Sequence, residues 1–365
     1  MNQVTRQLDP VLLAAAALLT IGGVIMVFSS SALLAERRFG DPYFFMKRQL
    51  FFVALGVVGM LVLSRLDTHR LERLALPLLV VSLLVLILVL IPGIGHRVGG
   101  ARRWLSLGWW RVQPAELAKL ALVIYFARNL CRHQEKLQDL VNGFLPNALV
   151  LALASGLIAL QPDVGNALLV CLLAAVLFVA AGMRLRHLGA TLLLGLPLLA
   201  VLVASADYRL RRLLAFLDPW ADPTGSGFQI VQSYLALGSG GVFGQGLGAG
   251  QQKLFFLPEA HTDFIFAIIG EELGFVGTAV IVLLFGVLLW RGAMIALRCQ
   301  EPFPRFLAFG LTTLLSLQAL SNMAVVVGLL PTKGLPLPFV SLGGSSLFMA
   351  LAATGLLMGV ARRGQ

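Results

Sequence analysis

The stretch Gln113-Pro114-Ala115-Glu116-Leu117-Ala118-Lys119 sets an acid and a base three residues apart inside an apolar segment. Proline followed by an acid is an ordinary helix start. Glu116 and Lys119 then share one helix face and can neutralise each other. The plainer reading is a helix start with an internal ion pair. The location asks for more, because an ionisable group within a membrane span costs about 2.5–3.5 kcal/mol on insertion scales and faces a cavity or a partner. Pro258-Glu259-Ala260-His261-Thr262-Asp263 closes a long loop and opens an apolar run. Asp263 suits a helix N-cap, and equally a general base that takes a proton from a hydroxyl. The residues alone leave both open. Asp163, in Gln161-Pro162-Asp163-Val164-Gly165, fits turn chemistry, with a substrate or cation role as the alternative. Glu271 and Glu272 lie about 12–13 Å further along the helix that starts after Asp263. A packing role is expected for them.

Cations gather in three clusters: Arg37/Arg38/Lys47/Arg48, Arg97/Arg102/Arg103/Arg111, and Arg209/Arg211/Arg212 with Lys253. Such clusters beside a bilayer suit an anionic, phosphorylated substrate or anionic headgroups. No basic stretch interleaved with aromatics forms a nucleic-acid groove. The sequence has no P-loop, no Gly-x-Ser-x-Gly, no His-Glu-x-x-His and no cysteine cluster. His261 and Asp263 are too few for a metal site. Cys131, Cys171 and Cys299 are far apart and read as small core hydrophobes. The glycine run from Gly244 to Gly250 lacks a βαβ unit around it, so tight turns and close packing are its expected use.

The elements that must position these groups are membrane helices. The 365 residues are 58% hydrophobic and 12% charged, with net charge +11. A soluble domain of this size needs far more charge. A hydrocarbon core about 30 Å thick asks for roughly 20 apolar residues per helix. Ten such runs are expected at 11–34, 49–64, 74–91, 114–130, 144–160, 164–182, 188–205, 264–290, 306–330 and 339–361. The first is too long for a signal-peptide core and reads as an uncleaved span. The alternation of a membrane β-barrel is missing, and helices satisfy their own backbone groups in lipid. The fold class is therefore all-α and polytopic: one domain over 1–365, with a large loop at 206–262 between the seventh and eighth spans. Lys/Arg tallies on the two sides are nearly equal, so charge alone does not orient the chain. In the loop, Phe228, Val231, Tyr234, Leu235 and Leu237 recur at helical spacing and predict an amphipathic helix lying at the interface. The proline-rich stretch from Pro331 to Pro338, followed by Ser341-Leu342-Gly343-Gly344-Ser345-Ser346, predicts non-helical backbone beside a cavity.

At these segments the sequence resembles the SEDS (FtsW/RodA) family of shape, elongation, division and sporulation proteins, over almost the whole chain. The matching residues are Lys47-Arg48-Gln49, Ala101-Arg102-Arg103-Trp104-Leu105, Gln113 to Lys119, Gln161-Pro162-Asp163, Asp218-Pro219-Trp220 through Gln232-Ser233, Pro258 to Ala267, and Leu330 to Ser346. Thr332-Lys333-Gly334 and Pro258-Glu259-Ala260 look like the FtsW division branch rather than RodA-like chains. Leu342 stands where the family commonly has tyrosine.

The resemblance implies ten spans with cytoplasmic termini, in the bacterial inner membrane at the division septum. It implies a peptidoglycan glycosyltransferase that polymerises lipid II, an undecaprenyl-diphosphate-linked disaccharide pentapeptide, into β-1,4 glycan strands with release of undecaprenyl diphosphate. By that carry-over Asp263 is the catalytic base. Arg48, Arg103, Trp104, Arg111, Glu116, Lys119, Asp163, Gln232, Lys333 and Ser341 are the substrate-binding candidates. The resemblance fixes no cofactor; a divalent cation (Mg or Mn) at the diphosphate is the one candidate. The implied partners are a class B penicillin-binding protein (a transpeptidase) and other division proteins. The span 306–330, with Gly310, Thr313, Ser316, Ser321 and Asn322, is the expected docking surface for that transpeptidase. The rival readings are a lipid II flippase, the elongation (RodA-type) polymerase, and a scaffold without chemistry.

Overall fold

The computed structural model of the chain describes residues 9–98, 100–108, 110–204, 207–254 and 256–363. Its helices are α1 (Pro10–Phe39), α2 (Phe44–Arg65), α3 (Thr68–Leu90), α4 (Pro114–Arg132), α5 (Leu145–Leu160), α6 (Val164–Ala180), α7 (Leu185–Ala204), α8 (Asp207–Leu217), α9 (Phe228–Gly240), α10 (Ile265–Arg298), α11 (Pro302–Val326) and α12 (Gly344–Arg363). A helix lies under each of the ten expected spans. Among the described residues, seven are able to cross a membrane by length and composition: α1, α2, α3, Leu140–Leu160, α10, α11 and α12. Ser205 and Ala206, the expected end of the seventh span and start of the loop, lie outside the described residues. The last helix starts at Gly344 rather than at residue 339, because the stretch before it is non-helical, as its prolines require.

Local chemistry sets the boundaries. Asp9 caps α1 by accepting from the Leu12 amide, Pro10 occupies its first turn, and Gly40 ends it at φ 68°. Apolar side chains such as Leu18, Ile21, Val81 and Leu84 stand exposed on the outside of the bundle, where lipid replaces water. The centre belongs to α4, α11 and α12. Gly355 of α12 sits so close to α2 that a Cβ there would lie 2.4 Å from the Met60 carbonyl oxygen, the close approach that small residues permit between membrane helices.

One element departs from the all-α expectation. Between α3 and α4 the chain forms an antiparallel meander of β1 (Gly95–Val98), β2 (Ala101–Leu107) and β3 (Trp110–Val112). His96 faces Trp104 and Ser106 faces Arg111 across the ladders, with an irregularity between His96 and Arg97. The strands are three to seven residues long and carry arginines in place of a clean apolar alternation, which hid them.

The long loop is folded. The helix predicted around Phe228 is α9, and one side of it packs against the bundle. Its buried line is Ile230, Ser233, Ala236 and Gly240, and a Cβ on Gly240 would sit 1.8 Å from the Gly270 carbonyl oxygen of α10. The helix with an exposed leucine stripe is α8, through Leu210, Leu213, Leu214 and Leu217. After α9 the glycine run folds back against a break in α10 at Gly274, φ 68°. The Phe275 and Val276 amides donate to Gly241 and Val242, and the Gln245 and Gly246 amides donate to Glu271 and Glu272. Backbone groups freed by the break are thus paired within protein. Glu272 also accepts from Lys253 Nζ (2.6 Å) and Ser29 Oγ (2.6 Å), and Glu271 accepts from the Gln251 amide (2.7 Å). Both acids hold packing together, as expected.

Candidate active site

Asp263 stands in the last loop residues before α10. The N-cap position of α10 belongs to Phe264, and no side chain caps the helix. The capping reading of Asp263 therefore fails, and its carboxylate is left for another use. It is half-buried. Burial first, and then the neighbouring Glu259 carboxylate, push its pKa from the usual carboxylate value up to about 7, with Arg103 pulling the other way. Glu259 is held in the left-handed region at φ 55°, and its carboxylate accepts from Thr262 Oγ at 2.8 Å. Such strained backbone clusters at functional sites. The His261 ring meets Phe45 at a tilt, with 5.2 Å between ring centroids, and burial lowers its pKa.

Gly334 marks the space between Asp263 and Arg103. A Cβ built on it would lie 3.3 Å from Asp263 Oδ2 and 3.8 and 3.9 Å from the two terminal guanidinium nitrogens of Arg103. Arg103 reaches this point from β2. Its Nε and the Nε1 of the adjacent Trp104 are buried without a hydrogen-bond partner. Arg111, on β3, lies within electrostatic reach of Arg48 at the start of α2. Among the described residues no carboxylate forms an ion pair with Arg48, Arg103 or Arg111. The buried, unsatisfied donors of Arg103 and Trp104 suit an anion at this point.

The remaining expected residues divide. Lys333 adjoins Gly334 and packs on Gly165, where a Cβ would meet its own Cβ at 3.2 Å. Burial lowers the pKa of its ammonium. Asp163 caps α6 through the Asn166 amide (3.2 Å) and accepts from Gln113 Nε2 (3.0 Å), and its charge is one of those that raise the Asp263 pKa. Ser341 is turned to the backbone: its hydroxyl donates to the Thr262 carbonyl (2.5 Å) and accepts from the Leu337 amide (2.8 Å). Glu116 and Lys119 pair at 2.7 Å, with side chains only 3% and 1% exposed. Lys119 also donates to Gln318 Oε1 (2.8 Å), and Gln318 donates to the Pro336 carbonyl and Ser346 Oγ. The pair is enclosed in protein rather than set at an open cavity, and it supports the stretch that carries Lys333 and Gly334. Gln232 is half-buried on α9, whose bond to α11 is made by its neighbour Ser233.

Among the described residues no three His, Cys, Asp or Glu side chains converge as metal ligands. Of the α11 residues expected at a docking surface, Ser316 and Ser321 are partly exposed and the other three are buried. Gly310 faces Val123 and Leu177, and Thr313 and Asn322 are buried inside the bundle. Asn322, expected only at the docking surface, instead donates from its side-chain amide to the Asp263 carbonyl.

A family model described as "Cell cycle protein", of the FtsW, RodA and SpoVE proteins, matches residues 9–365. A probable peptidoglycan glycosyltransferase FtsW of Geobacter metallireducens is 50% identical over 332 residues, 91% of this chain and 88% of the relative. Stage V sporulation protein E of Bacillus subtilis is 43% identical over 331 residues, 91% and 90% of the two chains. Among solved structures, a chain from "Structural coordination of polymerization and crosslinking by a peptidoglycan synthase complex" matches with TM-score 0.79 and 36% identity, covering 98% of each chain. The rod shape determining protein RodA of Thermus thermophilus matches with TM-score 0.73 and 32% identity, covering 99% of this chain and 98% of that one.

Proposed function

Because the chain belongs to the cell cycle protein family of FtsW, RodA and SpoVE, we propose that it is a peptidoglycan glycosyltransferase that polymerises lipid II at the outer face of the bacterial inner membrane. The observation that carries this reading is the Asp263 carboxylate set opposite the Arg103 guanidinium across Gly334. Lipid II carries an α-linked diphosphate and the product bond is β-1,4, so one inverting displacement suffices. The acceptor O4 forms a bond to the donor C1 while the C1–phosphate oxygen bond breaks. The O4 proton goes to Asp263, and the bonding pair leaves with undecaprenyl diphosphate. A base works best with a pKa near the operating pH. Arg103, together with Arg48 and Arg111, neutralises charge developing on the leaving diphosphate, where fixed cations act most strongly.

The identities near 50% to FtsW-named relatives support septal synthesis during division. The likeness to a synthase complex of polymerisation and crosslinking supports a class B penicillin-binding protein as partner. Ten crossings with cytoplasmic termini put Asp263 outside. The deciding experiment is glycan polymerisation from lipid II by the purified protein in liposomes. Long glycan strands support the reading, whereas translocation of lipid II without polymer supports a transporter.

Two outcomes follow from the site. Asp263 must be ionised to accept a proton, and its pKa is raised to about 7, so activity is present above that pH and lost below it. The kcat/KM profile should fall tenfold per pH unit on the acid side of an apparent pKa near 7. A limb near pH 4 would remove Asp263 as an abnormal base. Gly334→Ala places a methyl 3.3 Å from Asp263 Oδ2, in the space assigned to the reacting groups. Displacements on the order of 1 Å cost about 100-fold, so kcat/KM should drop by about 10- to 100-fold in a protein that still folds.

A further inference from the structure

Three successive carbonyls of the segment that ends at Asp263 are held by donors from one later stretch of chain. The Leu342 amide donates to the His261 carbonyl at 3.0 Å. Ser341 Oγ donates to the Thr262 carbonyl at 2.5 Å. Asn322 Nδ2 donates to the Asp263 carbonyl at 2.7 Å, and also to the Leu335 carbonyl at 2.7 Å. A strand ladder does not produce this pattern, because successive carbonyls of an extended chain point to opposite sides and one neighbouring strand reaches only alternate ones. A helix side chain, a loop side chain and a loop amide supply the donors instead.

Asn322 is 1% exposed, and its Oδ1 has no partner. A buried, unpaired acceptor is a cost that stability alone does not select. The Leu335 carbonyl it also holds is next to Gly334, the residue between Asp263 and Arg103. One amide thus fixes both edges of the space where the acceptor hydroxyl and the leaving group must meet.

We propose that Asn322 is the principal positioning residue of this enzyme, and that with Ser341 it clamps the backbone of the base relative to the Gly334 loop. This rests on the reading of Asp263 as the base. The clamp touches protein backbone and not substrate, so its loss lowers kcat while substrate binding is kept.

The test uses the full-length protein in liposomes with lipid II, and compares Asn322→Leu and Ser341→Ala with Asp263→Asn. For Asn322→Leu, kcat should fall about 10- to 100-fold with KM within twofold of the parent. Amide hydrogen exchange in peptides spanning 260–266 should speed up at least about tenfold. Ser341→Ala removes one hydroxyl and should move both readings the same way by a smaller factor. A folded Asn322→Leu with parental kcat and exchange overturns the clamp, and so does a raised KM at unchanged kcat. If Asn322→Leu does not fold, Ser341→Ala decides: parental kcat and exchange overturn the proposal. An active Asp263→Asn removes the base reading, whereas an inactive one beside a parental Asn322→Leu removes the clamp alone.

Discussion

Asp263→Asn should give a folded, membrane-inserted protein that polymerises lipid II about 100- to 10,000-fold more slowly, the range over which a positioned base acts. The substitution is nearly isosteric, and the backbone around it is held by Asn322, Ser341 and Leu342 rather than by the carboxylate. No helix cap is lost, since Phe264 holds the N-cap position of α10. The charge term points the same way. Burial and Glu259 raise the Asp263 pKa to about 7, so the folded protein disfavours the ionised form, and holding it ionised above that pH lowers stability. A neutral amide removes that cost. The thermal midpoint of Asp263→Asn at pH 8 should therefore equal or exceed the parent's while activity is lost. A wild-type polymerisation rate would exclude Asp263 as the base. A drop in stability at full activity would return the residue to a structural role.

The sequence made the bundle legible because lipid allows few backbone solutions. Each expected span has a helix under it, and the break after Leu330 was announced by Pro331, Pro336 and Pro338. Asp263 and Arg103 came from a resemblance to family motifs, and the structure brings them to opposite sides of Gly334. Spacing along the chain could not have done so, since the three residues stem from three separate segments. The meander that delivers Arg103 and Arg111 was missed because its strands are short and polar. The role of Asn322 was missed for a related reason. An asparagine in an apolar helix signals some polar partner, but nothing in the sequence says that the partners are the carbonyls of residues 263 and 335. Glu116 and Lys119 were legible as a pair from their spacing. Their enclosure, at 3% and 1% exposure, depends on α11 and α12, which lie about two hundred residues away.

That enclosure makes Lys119→Met the substitution with the largest expected effect on folding. Removing the ammonium leaves the Glu116 carboxylate buried without its partner at 2.7 Å, and leaves Gln318 Oε1 without its donor at 2.8 Å. Breaking a buried pair by deleting one member costs about 3–5 kcal/mol, whereas replacing both by neutral groups of similar volume is often neutral or stabilising. The single variant should therefore accumulate poorly in the membrane, or show a thermal midpoint well below the parent's in detergent. Glu116→Gln/Lys119→Met should recover most of that loss. Its activity then separates support from chemistry. Gln318 still links α11 to the Pro336 carbonyl and to Ser346, so the Gly334 loop keeps its anchor. The double variant should polymerise lipid II within about tenfold of the parent, because a pair that acts only through packing loses little once its charge balance is restored. A folded double variant as inactive as Asp263→Asn would show instead that the pair reaches the substrate, through an opening of the bundle between α4 and α11.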